Sequence, residues 1–422
     1  MSKRKSSPSL VQLESPRPKH HYNAVKQVSI PEMRKAEQDH EHARFGLGTD
    51  NRGDELRPSS RHDATLQMCL QLHLHARCAL LNYLPFAQLV HLEQVDERTY
   101  RSTAPPFSPG GDVGIGRAYG GHVYMQAAWA ACQTVGSGFL LHHVSGNFLL
   151  PGLTNLPFIY KVHLIRDGRS YATRILNVTQ AKGKGICFTC TCSFKLDETS
   201  PLDAQEKVNI EDKYQSVLAG KRPEDFEECP GMDVPWYWKR REETGFNDAF
   251  PGLEARKVDM GSYNDDRHPL DRRQLILYRT LGEMTNDPNM HLCAHLYASD
   301  RNSLFIVANH FDVGDIFTQM GSLVHTVVFH TGMKELLLGP SKGGMSWLDD
   351  PRGRWFCKED FSDRIAAGRG LFHSKVWAPD GTHVISILQD GMIRVTKKPN
   401  ATPEEKETVR RKELGWKPRE KL

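Results

Sequence analysis

Alternating apolar and polar positions predict strands at His142 to Leu149, Phe158 to Arg166, Tyr171 to Gln180 and Ile186 to Lys195, separated by Pro151-Gly152, Asp167-Gly168 and Lys182-Gly183-Lys184-Gly185. Ahead of them stand a strand-like run from Leu89 to Arg101, a Pro and Gly loop, and a small-residue helix near His122 to Cys132. After a polar interval the same order recurs. Short strands at Leu253 to Met260 and Arg273 to Leu281 precede a helix over Asp287 to Ile306, and strands follow at Val324 to Phe329, Trp355 to Phe361, Gly370 to Ala378 and Val384 to Val395. Even the turns match: Arg169-Ser170-Tyr171 opens a strand in the first passage as Arg369-Gly370-Leu371 does in the second.

A strand, a central helix and a curved antiparallel sheet, present twice, describe an α+β tandem in which each sheet wraps a helix. This is the hot-dog arrangement, here doubled. A single half leaves a sheet edge and one helix face uncovered, so joining the halves into one continuous sheet covers both. The pattern divides the chain into an N-terminal extension over 1–84, a first hot dog over 85–197, a Pro-rich linker over 198–249, a second hot dog over 250–396 and a charged tail over 397–422. Met1 to about Asp63 is too polar to order itself. Ala64 to Phe86 is broken by His73, His75, Arg77 and Asn82 and so fails as a membrane span, which leaves it as a helix laid on the first domain.

The second central helix carries an acid where its apolar stripe should continue. At helical spacing Asp300 shares a face with Cys293, Leu296, Tyr297, Leu304 and Val307. Burial would raise its pKa and mark it as a general base, provided polar groups meet it; the alternative is a stripe-edge residue reaching solvent or pairing with an arginine.

Composition narrows the partners. The 422 residues hold 55 Lys and Arg against 51 Asp and Glu, a net charge of +4, which is too balanced to argue for nucleic acid or an anionic membrane. Cys187, Cys190 and Cys192 lie in a strand with no second pair at zinc spacing, so they are expected to be core residues; no metal or cofactor is expected. Gly114-Ile115-Gly116 hints at a dinucleotide fingerprint, but Pro105, Pro106 and Pro109 occupy the place of the strand it requires.

Three stretches of each half resemble a known family. Gly116-Arg117-Ala118-Tyr119-Gly120-Gly121, Asn147-Phe148-Leu149-Leu150-Pro151-Gly152 and Leu164-Ile165-Arg166-Asp167-Gly168-Arg169-Ser170-Tyr171, then Leu296-Tyr297-Ala298-Ser299-Asp300, His325-Thr326-Val327-Val328-Phe329-His330 and Leu388-Gln389-Asp390-Gly391-Met392-Ile393-Arg394, are similar to the TesB-like acyl-CoA thioesterase II enzymes, of the eukaryotic peroxisomal type. The resemblance implies hydrolysis of fatty acyl-CoA to fatty acid and CoA. It also implies that a helix Asp, a Ser or Thr before the next strand and a Gln on the last strand hold the water; these fall on Asp300, Ser322 and Gln389. A thioester carbonyl accepts water directly once a carboxylate takes the proton, so no covalent nucleophile is needed. The chain departs from the family at Val324, where an Asp is usual, and at His122, where a Gln is usual.

Rival classes are a nucleophilic hydrolase, for which there is no Gly-x-Ser-x-Gly elbow, a hot-dog enoyl-CoA hydratase or dehydratase, and a non-catalytic acyl-CoA binding protein. The hydratase would place a His five residues after the Asp, where this chain has Phe305. Acyl-CoA and further copies of the chain are the expected partners. Glu420-Lys421-Leu422 matches a Ser-Lys-Leu address at its last two positions, so partial peroxisomal import is expected, with the cytoplasm as the alternative.

Overall fold

The computed structural model describes residues 84–110, 117–181, 183, 185–244, 250–314, 316–340 and 346–395. The expectations for the extension over 1–83, for Gly114-Ile115-Gly116 and for the tail with Glu420-Lys421-Leu422 therefore lie outside the described residues.

The first half contains β1 (Leu92–Asp96), β2 (Thr99–Ser102), the helix α1 (Gly120–Cys132), β3 (Phe139–Phe148), β4 (Phe158–Asp167), β5 (Tyr171–Gln180) and β6 (Phe188–Leu196). The run read as one strand from Leu89 is instead a helical turn, Phe86–Leu89, followed by a hairpin. Asp96 makes the turn, its Oδ1 accepting from the Arg98 N–H at 2.9 Å, which ends the strand inside that run.

The second half contains β7 (Glu227–Glu228), the helix α2 (Pro235–Thr244), β8 (Leu253–Lys257), β9 (Gln274–Thr280), the helices α3 (Pro288–Ser299) and α4 (Ser303–His310), then β10 (Phe317–Phe329), β11 (Phe356–Ala366), β12 (Arg369–Trp377) and β13 (His383–Val395). The expected single helix from Asp287 to Ile306 breaks between α3 and α4. Its starting signals hold: Asp287 caps α3 by accepting from the Asn289 N–H at 2.9 Å, and Pro288 takes the first helical position. Ser299-Asp300-Arg301-Asn302-Ser303 is a run of polar residues, and Asn302 turns the chain with φ 56°, a conformation asparagine tolerates better than most residues.

All strands join one 13-stranded antiparallel sheet in the order β1-β2-β4-β5-β6-β3-β10-β13-β12-β11-β9-β8-β7. The halves meet at β3 and β10, with Asn147 opposite Val324 and His143 opposite Val328. Across that seam the Ser145 and Thr326 hydroxyls lie 2.9 Å apart. Inside the curl, α1 packs directly on α3. α1 is buried nearly all round, and Ala127, Ala128, Ala130 and Ala131 let neighbouring backbones approach closely. Cys187, Cys190 and Cys192 are buried core residues, as expected.

Part of the stretch read as a linker is packed, from Ile210 onward, whereas residues 198–207 are exposed. Ile210, Tyr214, Val217 and Leu218 repeat at helical spacing, and with Phe226 they cover the outer face of β9, β11 and β12 through Leu275, Leu277, Cys357 and Trp377. Four apolar residues among many polar ones were enough to order a segment whose composition suggested otherwise.

Candidate active site

Asp300 is the C-cap of α3, 8 % exposed, and is buried by the turn that follows it rather than by a helical stripe. Three groups from three elements meet its carboxylate. Gln389 Nε2 on β13 donates to Oδ1 at 3.0 Å, Ser303 Oγ at the start of α4 donates to Oδ1 at 3.2 Å, and the Gly121 backbone N–H at the start of α1 donates to Oδ2 at 2.9 Å. Burial pushes the Asp300 pKa up to about 6, and these donors, with the nearby Lys358 ammonium, keep it from rising further.

The fit at α1 is tight because residue 120 has no side chain. A Cβ there would stand 2.7 Å from Asp300 Oδ2. Glycine therefore lets the positive end of a helix approach a carboxylate to hydrogen-bond distance.

Ser322 lies in β10 where the register shifts between Ser322 and Val324, and Gln389 stands directly opposite His325 in the β10–β13 pair. Cross-strand partners point to the same face, so the sheet brings the three expected residues together although 89 positions separate Asp300 from Gln389. Gln389 Nε2 also donates to Ser322 Oγ, at 2.5 Å. Both of its amide hydrogens are thus used, one on the acid and one on the hydroxyl. Ser322 keeps its own proton to donate.

His325 was read only as strand sequence, yet it orients the amide. Its Nδ1 lies 3.0 Å from Gln389 Oε1, and its Nε2 lies 2.7 Å from Ser299 Oγ. Burial lowers the His325 pKa to about 3, so the ring is neutral. With Nδ1–H donating to Gln389, Nε2 is left to accept, and the single Ser299 proton is shared between it and the Leu296 oxygen at 2.8 Å; a flipped amide would set Oε1 against the carboxylate. The signal available in sequence was the pairing distance: a His and a Gln facing inward on neighbouring strands.

A pocket of about 370 Å³ opens onto Asp300 and Ser322. Its wall is mostly apolar, with Phe148, Leu150, Leu304, Phe305, Met320 and Met392, and among the described residues no histidine lines it. Gln389 is fully buried behind it. The two departures from the family pattern lie off this wall: His122 is buried with its ring 6.5 Å from those of Phe158 and Tyr297, and Val324 pairs with Asp390. Among the described residues no group of three or more His, Cys, Asp or Glu could hold a metal.

Comparison with known proteins identifies the family. A model of the acyl-CoA thioesterase N-terminal domain matches residues 109–195, and one of the C-terminal domain matches residues 226–393. The chain belongs to the TesB-like acyl-CoA thioesterase II family. It is accordingly a thioester hydrolase of that family. The acyl-CoA thioesterase 2 of Haemophilus influenzae is 25 % identical over 319 residues, spanning 73 % of this chain and 96 % of that protein. The human acyl-coenzyme A thioesterase 8 is 25 % identical over 286 residues, spanning 66 % and 81 %. Among solved structures, the acyl-CoA thioesterase II TesB2 of Mycobacterium marinum superposes with a TM-score of 0.52 at 23 % identity, over 74 % of this chain and 99 % of that one. A tesB protein of Mycobacterium avium subs paratuberculosis gives 0.50 at 18 % identity, over 73 % and 97 %. These two show the double hot-dog fold of this TesB-like chain. No helix among its described residues is long and apolar enough to cross a membrane.

Proposed function

We propose that this enzyme hydrolyses fatty acyl-CoA to free fatty acid and CoA by direct attack of a water held at Asp300 and Ser322. One observation carries the reading: a single buried amide, Gln389, donates to both the carboxylate and the hydroxyl, and both of those face an apolar pocket. The acyl chain occupies the pocket with its carbonyl at the start of α1. The Asp300 carboxylate takes a proton as the water oxygen bonds to the carbonyl carbon, and Ser322 orients that water. The positive end of α1 favours the charge gathering on the carbonyl oxygen. Collapse breaks the carbon–sulfur bond, and the proton held on Asp300 goes to the leaving thiolate. In this arrangement Gln389 is a positioning residue whose two N–H groups are already engaged.

The absence of histidine from the pocket wall and Phe305 at the fifth position after Asp300 disfavour a hydratase. The deciding experiment follows thiol release from saturated acyl-CoA of graded chain length, with wild type and Asp300→Asn side by side. Wild type should release thiol and the variant should lose about 10²- to 10⁴-fold in kcat while keeping its fold. A variant with full activity per folded molecule would end the mechanism, and a wild type that binds acyl-CoA without releasing thiol would leave only binding.

A further inference from the structure

β11 carries charge on its inner face. Phe356, Lys358, Asp360 and Ser362 are all fully buried at alternate positions, while the residues between them, Cys357 and Glu359, belong to the outer side with Tyr214 and Trp377. The first half offers a control. With β5 and β12 aligned at Tyr171 and Leu371, Val162 opposite Leu176 corresponds to Lys358 opposite Val376, and Leu164 corresponds to Asp360. Of these two positions only the first is buried in both halves, since Leu164 is 38 % exposed, and that position is apolar in the half without an acid and charged in the half with one. Burying an ion pair is a poor route to stability compared with apolar packing, so the charge calls for a use at this place.

Lys358 Nζ donates to the Arg301 backbone oxygen at 2.9 Å, whereas Asp360 Oδ2 stays 3.4 Å away. The shorter bond goes to the turn that carries Asp300, not to the counterion. That turn contains Asn302 in the left-handed region and lies between the closing bond of α3, Arg301 N–H to the Ala298 oxygen at 3.1 Å, and the opening bond of α4, Ile306 N–H to the Asn302 oxygen at 3.0 Å.

We propose that Lys358 is a positioning residue for the reaction: it pins the turn from Asp300 to Asn302 through Arg301 and sets a positive charge behind the base. This deepens the reading of Asp300 as the base and rests on it. The other groups around Asp300 are accounted for. Gly121 N–H, Gln389 and Ser303 are neutral donors, Ser322 and His325 are neutral, and the Tyr119 hydroxyl is donated to the Tyr297 oxygen at 2.7 Å. Burial keeps the Cys229 thiol protonated. Arg301, which also lines the pocket, donates from its guanidinium to the Cys229 oxygen at 2.9 Å and lies 4.2 Å from the Phe250 ring centre. Two further buried acids stand near: Asp360 lies 3.4 Å from Lys358, and Asp233, beside Cys229, is paired with Lys257 at 2.6 Å.

The test titrates the Asp300 carboxyl by carbon-13 NMR in the full chain, its resonance assigned by its loss in Asp300→Asn. In Lys358→Met its midpoint should rise by about one unit, and the acidic limb of kcat/KM should move up with it, a loss of about 3-fold near pH 6.5 that approaches about 10-fold near pH 5 and recovers towards about pH 8.5. Lys358→Met with Asp360→Asn strands no buried carboxylate and decides the matter where the single variant does not fold. An unchanged Asp300 midpoint in a folded variant overturns the proposal. A shifted midpoint in an enzyme whose Asp300→Asn form is fully active would uphold Lys358 and remove the general base.

Discussion

The backbone N–H of Gly121, in the first hot dog, donates to Asp300 Oδ2, in the second, at 2.9 Å. The acid and the helix end that meets it thus come from opposite halves. The site belongs to the tandem, and α1, which has no acid of its own, serves the acid on the other half.

Gly120→Ala tests that junction. A Cβ placed 2.7 Å from Oδ2 must push the carboxylate off the helix end, since the Phe148 ring at 3.1 Å blocks retreat on the other side. Turnover should fall about 10-fold or more, because a displacement near one ångström already spoils alignment. Steady-state kinetics on folded protein, with melting measured on the same sample, checks it; wild-type kcat would mean the carboxylate has room to move.

The pH dependence follows from Asp300. Its folded pKa of about 6 means kcat/KM should fall as pH drops through about 6. Stability runs the other way. A carboxyl raised from 3.8 to about 6 binds its proton more tightly in the fold, so the stabilisation it brings is full below about pH 4 and is lost as pH rises through about 6. Asp360, also raised to about 6 by burial, adds in the same sense. Either Asn variant should narrow the stability difference between pH 5 and pH 8, by roughly 1–1.5 kcal/mol.

His325→Phe keeps the ring that Tyr124 meets edge-on at 4.8 Å but removes the donor to Gln389 and the acceptor for Ser299. The amide is then free to flip its oxygen towards Asp300. We expect a loss of about 1–3 kcal/mol in stability and about 10-fold in kcat. His325→Asn, if it rebuilds the donor to Gln389, should recover part of the rate, and equal kcat for wild type and His325→Phe would show that the amide needs no holding.

Ser322→Ala and Gln389→Ala should each lower kcat less than Asp300→Asn does. Adding either to Asp300→Asn should cost little more, because all three act on one water. Fully additive losses across the double variants would contradict a shared task.

The alternation of residues and the positions of Pro and Gly determined the strands and the tandem order, because side-chain period and turn chemistry are local. Tyr171 to Gln180 is a strand over the whole span the pattern predicts. Asp300 was legible as an acid among apolar residues, but the reason for its burial was not: the run Ser299 to Ser303 breaks the helix, and the carboxylate reaches its partners from a turn. Local pattern misjudged residues 210–226 for the converse reason, since a few spaced apolar side chains order a polar segment once a sheet face is there to receive them. The placing of Gly121, His325 and Lys358 around one carboxylate was decided by the tertiary structure alone. Each depends on which strand lies beside which and on how far one helix approaches another, distances that no spacing along the chain encodes.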